Sequence, residues 1–253
     1  MAWYGFDGYF RPYVSVAERK ALGAQELARL LKKSKRSPEP VVLTSGRRHV
    51  ATTFWGKAWC ENLERYADLA NRLPRGRTYV RNGSVLDLAI SRGKVEAYVA
   101  GSELYTVEIG ISPLAKLRWR RVVRQCTGRI ASLVGLLRGE LSADVLNVLC
   151  DAKEGLFPEP REISLACSCP DQAEVCKHIA AVLYGVGSRL DQKPELFFVL
   201  RQVDQGELIG SAASGAVAPR RKGTAKRLAA DKLADVFGID IVDAPVAPRR
   251  RKS

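Results

Sequence analysis

Apolar residues recur at helical spacing near the start of the chain. After an aromatic lead (Trp3, Tyr4, Phe6, Tyr9, Phe10, Tyr13), Leu22, Leu27, Leu30 and Leu31 mark one face of a helix ending near Lys33. Ser15 stands as its cap, with Glu18 three residues on as in a capping box. A polar stretch with Pro38 and Pro40 breaks the pattern, Val41-Val42-Leu43 is a short strand candidate, and Trp55 to Leu73 forms a second helix ended by Pro74. The rhythm then changes. Thr78-Tyr79-Val80, Val85 to Ile90, Val95 to Val99 and Tyr105 to Ile111 are rich in strand formers. The tight-turn pairs Asn82-Gly83, Arg92-Gly93 and Gly101-Ser102 separate them, which predicts a four-stranded antiparallel meander closed by Pro113. Helices are expected at about 114–126, 128–138 and 141–151, over Ile179–Arg189 and Glu195–Arg201, and as a short element at Thr224–Phe237.

With 253 residues, 46% hydrophobic and 27% charged, the chain is globular rather than disordered. It has no run of eighteen apolar residues, so no transmembrane helix is expected. The start lacks a basic flank followed by an apolar stretch, which argues against a secretory signal. The net charge of +14 points to a polyanionic partner, nucleic acid before an anionic membrane surface. The charge is unevenly spread. Residues 71–129 hold 12 Lys and Arg against 4 Asp and Glu, whereas 161–204 hold 5 against 6.

That near-neutral block contains the sharpest chemical signal: Cys167-Ser168-Cys169, six residues, then Cys176-Lys177-His178. Three thiols and an imidazole complete a tetrahedral shell for one structural Zn²⁺ and leave no open position. Ile163, Leu165 and Cys167 alternate as a strand would, and residues i and i+2 of a strand point the same way, so both Cys167 and Cys169 can face one ion. Pro170-Asp171 turns the chain, and Cys176 and His178 open the next helix, whose N-terminus favours thiolates. Six cysteines in a chain of this length make a sparse disulfide scaffold, so a reducing, cytoplasmic setting is expected. Metal loss should melt the region around 163–190.

This Cys-x-Cys, spacer, Cys-x-His arrangement resembles the SWIM zinc finger at all four ligand positions. Thr53-Phe54-Trp55-Gly56-Lys57-Ala58-Trp59-Cys60, Asn71-Arg72-Leu73-Pro74-Arg75-Gly76-Arg77 and Gly155-Leu156-Phe157-Pro158 are similar to blocks of stand-alone prokaryotic members, as is Cys167 through Asp191. The resemblance implies a zinc-stabilised module that binds DNA or proteins, associated with a Swi/Snf-type helicase-like ATPase.

The expected fold class is α+β: a basic N-terminal domain over 1–160 holding the meander and its flanking helices, a small strand–turn–helix zinc finger with following helices over 161–204, and a basic tail over 205–253. Arg72, Arg75, Arg77 and Arg81, with Tyr79 between them, and Arg118, Arg120, Arg121 and Arg124, around Trp119, are the candidate nucleic-acid contacts. Guanidinium forks suit phosphate and an interleaved aromatic can stack on an unpaired base. Trp55 and Trp59, four residues apart on a helix, are expected in the core, as are Cys126 and Cys150. There is no phosphate-binding Gly-x-x-x-x-Gly-Lys loop and no Gly-x-Ser-x-Gly elbow, and one of the two histidines is committed to metal. A non-catalytic protein is expected, acting on nucleic acid, DNA before RNA, and not on membranes. Its rival is an adaptor whose finger docks a partner protein; Ile179–Tyr184 could form part of that face, with packing against its own core the favoured use.

Overall fold

The computed structural model describes residues 14–32, 36–43, 46, 49–65 and 72–209. The first helix, α1 (Val16–Lys32), begins as the capping box predicts, with the Glu18 N–H donating to Ser15 Oγ at 3.1 Å. Its buried stripe is Gly23, Leu27 and Leu31, while Leu22 and Leu30 face solvent. The expected helix at Thr224–Phe237 lies outside the described residues.

The sheet runs in the order β1 (Val85–Ser91), β2 (Lys94–Ala100), β3 (Leu104–Ile111), β4 (Ile163–Cys167), all antiparallel. The α+β class and the four strands hold, but the fourth strand comes from the cysteine segment. Thr78-Tyr79-Val80, expected as a strand, lies in α3 (Leu73–Arg81). Helical spacing wins there because Leu73, Gly76 and Val80 recur on one buried face and Pro74 sits in the first turn, where its fixed φ suits a helix. Pro74 therefore opens α3 instead of closing its predecessor, α2 (Phe54–Glu64), which stops short of the expected Leu73. Asn82-Gly83 ends α3: Gly83 adopts φ 67° and its N–H donates to the Val80 carbonyl at 3.0 Å. Val41–Leu43 forms no strand, although the Val41 N–H donates to the Val85 carbonyl at 3.2 Å beside β1.

Register places Leu88, Ala97, Val107 and Cys167 across from one another, so they share one face of the sheet. Lys94, Glu96 and Glu108 occupy the opposite face as exposed ion pairs of 2.8 and 3.2 Å.

The apolar face packs on α7 (Lys177–Gln192), in which every residue from His178 to Leu190 is buried. A helix apolar all round belongs inside. Small residues let its neighbours approach: a Cβ on Gly76 of α3 would lie 2.4 Å from Ala180 Cβ, and one on Gly56 of α2 would lie 2.5 Å from the Gly187 carbonyl oxygen. The Trp59 indole N–H donates to the Leu183 carbonyl at 2.8 Å and that of Trp55 to the Leu136 carbonyl at 3.0 Å, so both tryptophans are core, as expected. Cys126 is fully buried, whereas Cys150 is half-buried.

The remaining helices are α4 (Lys116–Cys126), α5 (Leu133–Arg138), α6 (Ala143–Cys150) and α8 (Glu195–Arg201). The expected 128–138 helix shortens to α5 because Ser132 caps it, its Oγ accepting from the Gly135 N–H at 3.0 Å. Among the described residues no helix is long and apolar enough to cross a membrane.

Candidate metal centre

Strand β4 ends at Cys167, and the Ser168 N–H still donates to the Thr106 carbonyl at 3.0 Å, so the sheet holds this segment as it leaves the ladder. Cys176 is the N-cap of α7, and its Sγ accepts the Ile179 N–H at 3.5 Å. Asp171 shapes the turn between them by accepting the Ala173 N–H at 3.1 Å. The donor atoms of Cys167, Cys169, Cys176 and His178 all lie within 4.8 Å of one another. His178 turns Nδ1 inward, 3.8 Å from Cys167 Sγ and 3.9 Å from Cys176 Sγ.

These residues fit one Zn²⁺. Zinc–sulfur bonds of about 2.3 Å put tetrahedral sulfurs roughly 3.8 Å apart, close to the spacing already present. The electrostatics agree. Hydrogen bonding from the Cys167 thiol, with further help from His178 and the Ile179 N–H, holds the Cys176 thiol well below its ordinary value, and the Cys167 thiol is correspondingly pushed up. A thiolate is thus already favoured where the helix begins. Four protein ligands close the shell, so the ion would fix the end of β4 to the start of α7 and leave no position for substrate.

The surroundings of His178 escape sequence reasoning. Tyr105 stacks on the imidazole at 4.3 Å between ring centres and Tyr79 meets it edge-on at 5.4 Å, leaving Nε2 buried without a hydrogen-bond partner. Gly101 makes room, since a Cβ there would lie 3.1 Å from Nε2 and 2.6 Å from the Tyr105 ring. Tyr79, expected to stack on a base, instead packs on the metal ligand and lies 5.7 Å beneath the Lys177 ammonium. Asp191 is also missed: its carboxylate accepts the N–H and hydroxyl of both Thr52 and Thr53 at 2.6–3.0 Å and ties the far end of α7 to the start of α2.

The eight candidate arginines fall into two sets on two helices. Arg72, Arg75, Arg77 and Arg81 belong to α3 and its cap, not to a turn and strand. Arg72 pairs with Asp171 at 3.3 Å, and Arg77 with Glu64 at 2.5 Å and the Tyr184 hydroxyl at 2.8 Å. Arg81 is half-buried and Arg75 exposed. On α4, Arg118 is 11% exposed and donates to the Gly155 and Phe157 carbonyls at 2.7 and 3.1 Å, which explains why it needs the 155–158 loop. Arg121 pairs with Glu154 at 2.5 Å. Arg120 and Arg124 are exposed and make no ion pair with any described residue, and the same holds for Lys116. Trp119, expected to offer an open ring, is buried and donates its indole N–H to Glu207 at 2.9 Å.

Residues 148–186 match the SWIM zinc finger family. The chain is 36% identical over 173 residues to the uncharacterized protein Rv2102 of Mycobacterium tuberculosis, covering 67% of this chain and 62% of that protein. It thus spans less than two thirds of that relative's length. No solved structure matches. The family match begins in α6, runs through β4 and ends inside α7, and all four metal donors fall within it. Residues 148–186 of this chain thus carry a SWIM zinc finger with its complete Cys3His donor set.

Proposed function

We propose that this protein binds nucleic acid, DNA rather than RNA, without catalysing a reaction on it, and that zinc holds the scaffold while the exposed face of α4 holds the phosphates. The observation that carries this reading is the stripe Lys116, Arg120 and Arg124. Spaced four residues apart, these cations line one face of α4, and none is neutralised by a described acid. The other arginines of the basic block that pair with acids or carbonyls stabilise the fold and are not counted in the interface. A cytoplasmic setting suits a cluster that needs reduced thiols.

The adaptor reading has the near-neutral charge of 161–204 in its favour. Against it, Ile179–Tyr184 packs in the core, its favoured use, and is covered by α2, α3 and the sheet, which removes it as part of a docking face. Through the family resemblance we also propose a Swi/Snf-type ATPase as a separate motor, since no nucleotide-binding loop stands in this chain.

Titration of DNA and RNA duplexes across salt tests the first reading. Affinity should fall steeply with salt, and Arg120→Glu with Arg124→Glu should lower the slope of log K against log salt by about 1 per lost phosphate contact. No binding at low salt overturns it. For the motor, addition of the purified protein should change the DNA-stimulated ATP turnover of a Swi/Snf-type ATPase. Unchanged turnover over a saturating range removes the partnership and leaves DNA binding intact.

A further inference from the structure

Beside the α4 stripe lies a cleft of about 750 Å³, within the size range of sites for small organic groups. Three elements build it: the β1–β2 turn, the N-terminal half of α4, and the C-terminal end of α8 running into the residues after it. Arg92, Lys116 and Arg120 stand along it, and none of them pairs with an acid among the described residues. Its lining mixes these polar groups with apolar ones, buried Phe198 and Trp119 and Val199, which is 40% exposed. Gln202 closes the α8 end. Its backbone is left-handed, φ 59°, where glycine is the easy choice, and its side-chain amide rests on the Gly93 turn. No described residue hydrogen-bonds that amide, whereas the two acids of the lining are engaged: Glu207, against α4, accepts the Trp119 indole and Asp204 the Gly206 N–H at 2.8 Å.

We infer that this cleft receives an unpaired base of a single-stranded nucleic acid, its neighbouring phosphates lying on Lys116, Arg120 and Arg92. The inference rests on the proposed nucleic-acid function and names the form that is bound. A recess with aromatic and aliphatic lining, flanked by cations that no described acid pairs, matches a nucleotide, flat at one end and anionic at the other. A duplex keeps its bases stacked inside, so it can reach the cations but cannot fill the recess without paying to flip a base. The Gln202 amide can donate to or accept from a base edge.

The test is fluorescence anisotropy with the full chain at low salt, using a labelled oligothymidylate of roughly 16 nucleotides and a duplex of equal length. Single strand should bind about tenfold tighter than duplex. Val199→Trp, which fills the recess from an exposed position, should weaken single-strand binding about five- to tenfold and leave duplex binding unchanged. Gln202→Gly, which suits the left-handed backbone, keeps the test sound if the tryptophan variant fails to fold, and should cost the single strand about threefold. Equal binding of the two forms, or single-strand binding indifferent to both variants, overturns the cleft assignment while leaving the α4 reading standing. A parallel loss of both forms in the variants overturns it too. If neither form binds, the proposed function itself falls. Displacement of the strand by a peptide that binds wild-type but not Val199→Trp protein would reassign the cleft to protein recognition.

Discussion

The metal centre and the α4 face are built on opposite terms. Around His178 the side chains are buried or half-buried and come from several elements, so the site exists only because β4, the β2–β3 turn, α3 and α7 converge. Along Lys116, Arg120 and Arg124 the side chains are exposed and belong to one helix, and their common property is charge that no described acid pairs. A substitution in the first region should therefore be felt through the fold, and one in the second through binding alone. That asymmetry also explains why eight arginines chosen by density divide so sharply. Arg72, Arg77, Arg118 and Arg121 reach an acid or a carbonyl and have joined the scaffold, whereas Arg120 and Arg124 are exposed and pair with no described acid.

Removing zinc is the largest test of this contrast. Melting confined to 163–190 is hard to reconcile with α7 at the centre of the core, because uncovering α7 also uncovers α2, α3 and the sheet. Chelation, or Cys176→Ser with loss of about one bound zinc, should lower the midpoint of thermal unfolding by about 10 °C or more in a single transition followed by circular dichroism. A second, unperturbed transition would show that the finger melts alone.

Next in size, Gly76→Ala forces a methyl group onto Ala180 and should cost about 2–3 kcal/mol in urea unfolding, with metal content retained. Asp191→Ala strips four hydrogen bonds from the start of α2 and should cost about 1–2 kcal/mol by the same measurement. An effect of Asp191→Ala as large as zinc removal would mean that the far end of α7, not its metal-bound start, anchors the core.

Arg120→Glu and Arg124→Glu should change stability by less than about 0.5 kcal/mol while weakening DNA binding, a separation no residue of the metal centre should show. Arg118→Ala provides the contrast, destabilising by about 2–3 kcal/mol because the Gly155 and Phe157 carbonyls, with Glu159 and Glu162, lose their shared donor.

The smallest effect concerns pH. Burial pushes the Cys60 thiol up to about 12 and those of Cys126 and Cys150 to about 11. Their folded values lie above the ordinary 9.0, so the native state holds these protons more tightly than the unfolded one. Their contribution to stability is complete below about pH 9 and fades as pH rises towards 11 and 12. At pH 8 these thiols should resist iodoacetamide in the native protein, as mass mapping of the alkylated cysteines would show.

Much of this molecule is legible in its sequence wherever the signal is local. The Ser15 cap, the three long strands and their tight turns, α8, and the strand-then-helix placement of Cys167 and Cys176 all follow from residue order and spacing. The failures at Thr78–Val80, Tyr79 and Trp119 share one cause: each involves a residue whose role depends on something distant in the chain. Thr78–Val80 has strand-forming residues, yet Leu73, Gly76 and Val80 are drawn into a helix by the small-residue face of α7 a hundred positions away. Tyr79 and Trp119 look like stacking platforms among arginines until His178 and Glu207 claim them. The sequence alone determines the ligand set, because zinc chemistry needs only the right atoms at bridgeable spacings. Tertiary structure decides which arginines are free, what surrounds the histidine and where the fourth strand comes from. Those outcomes depend on packing and ion pairing between segments whose meeting no local pattern encodes.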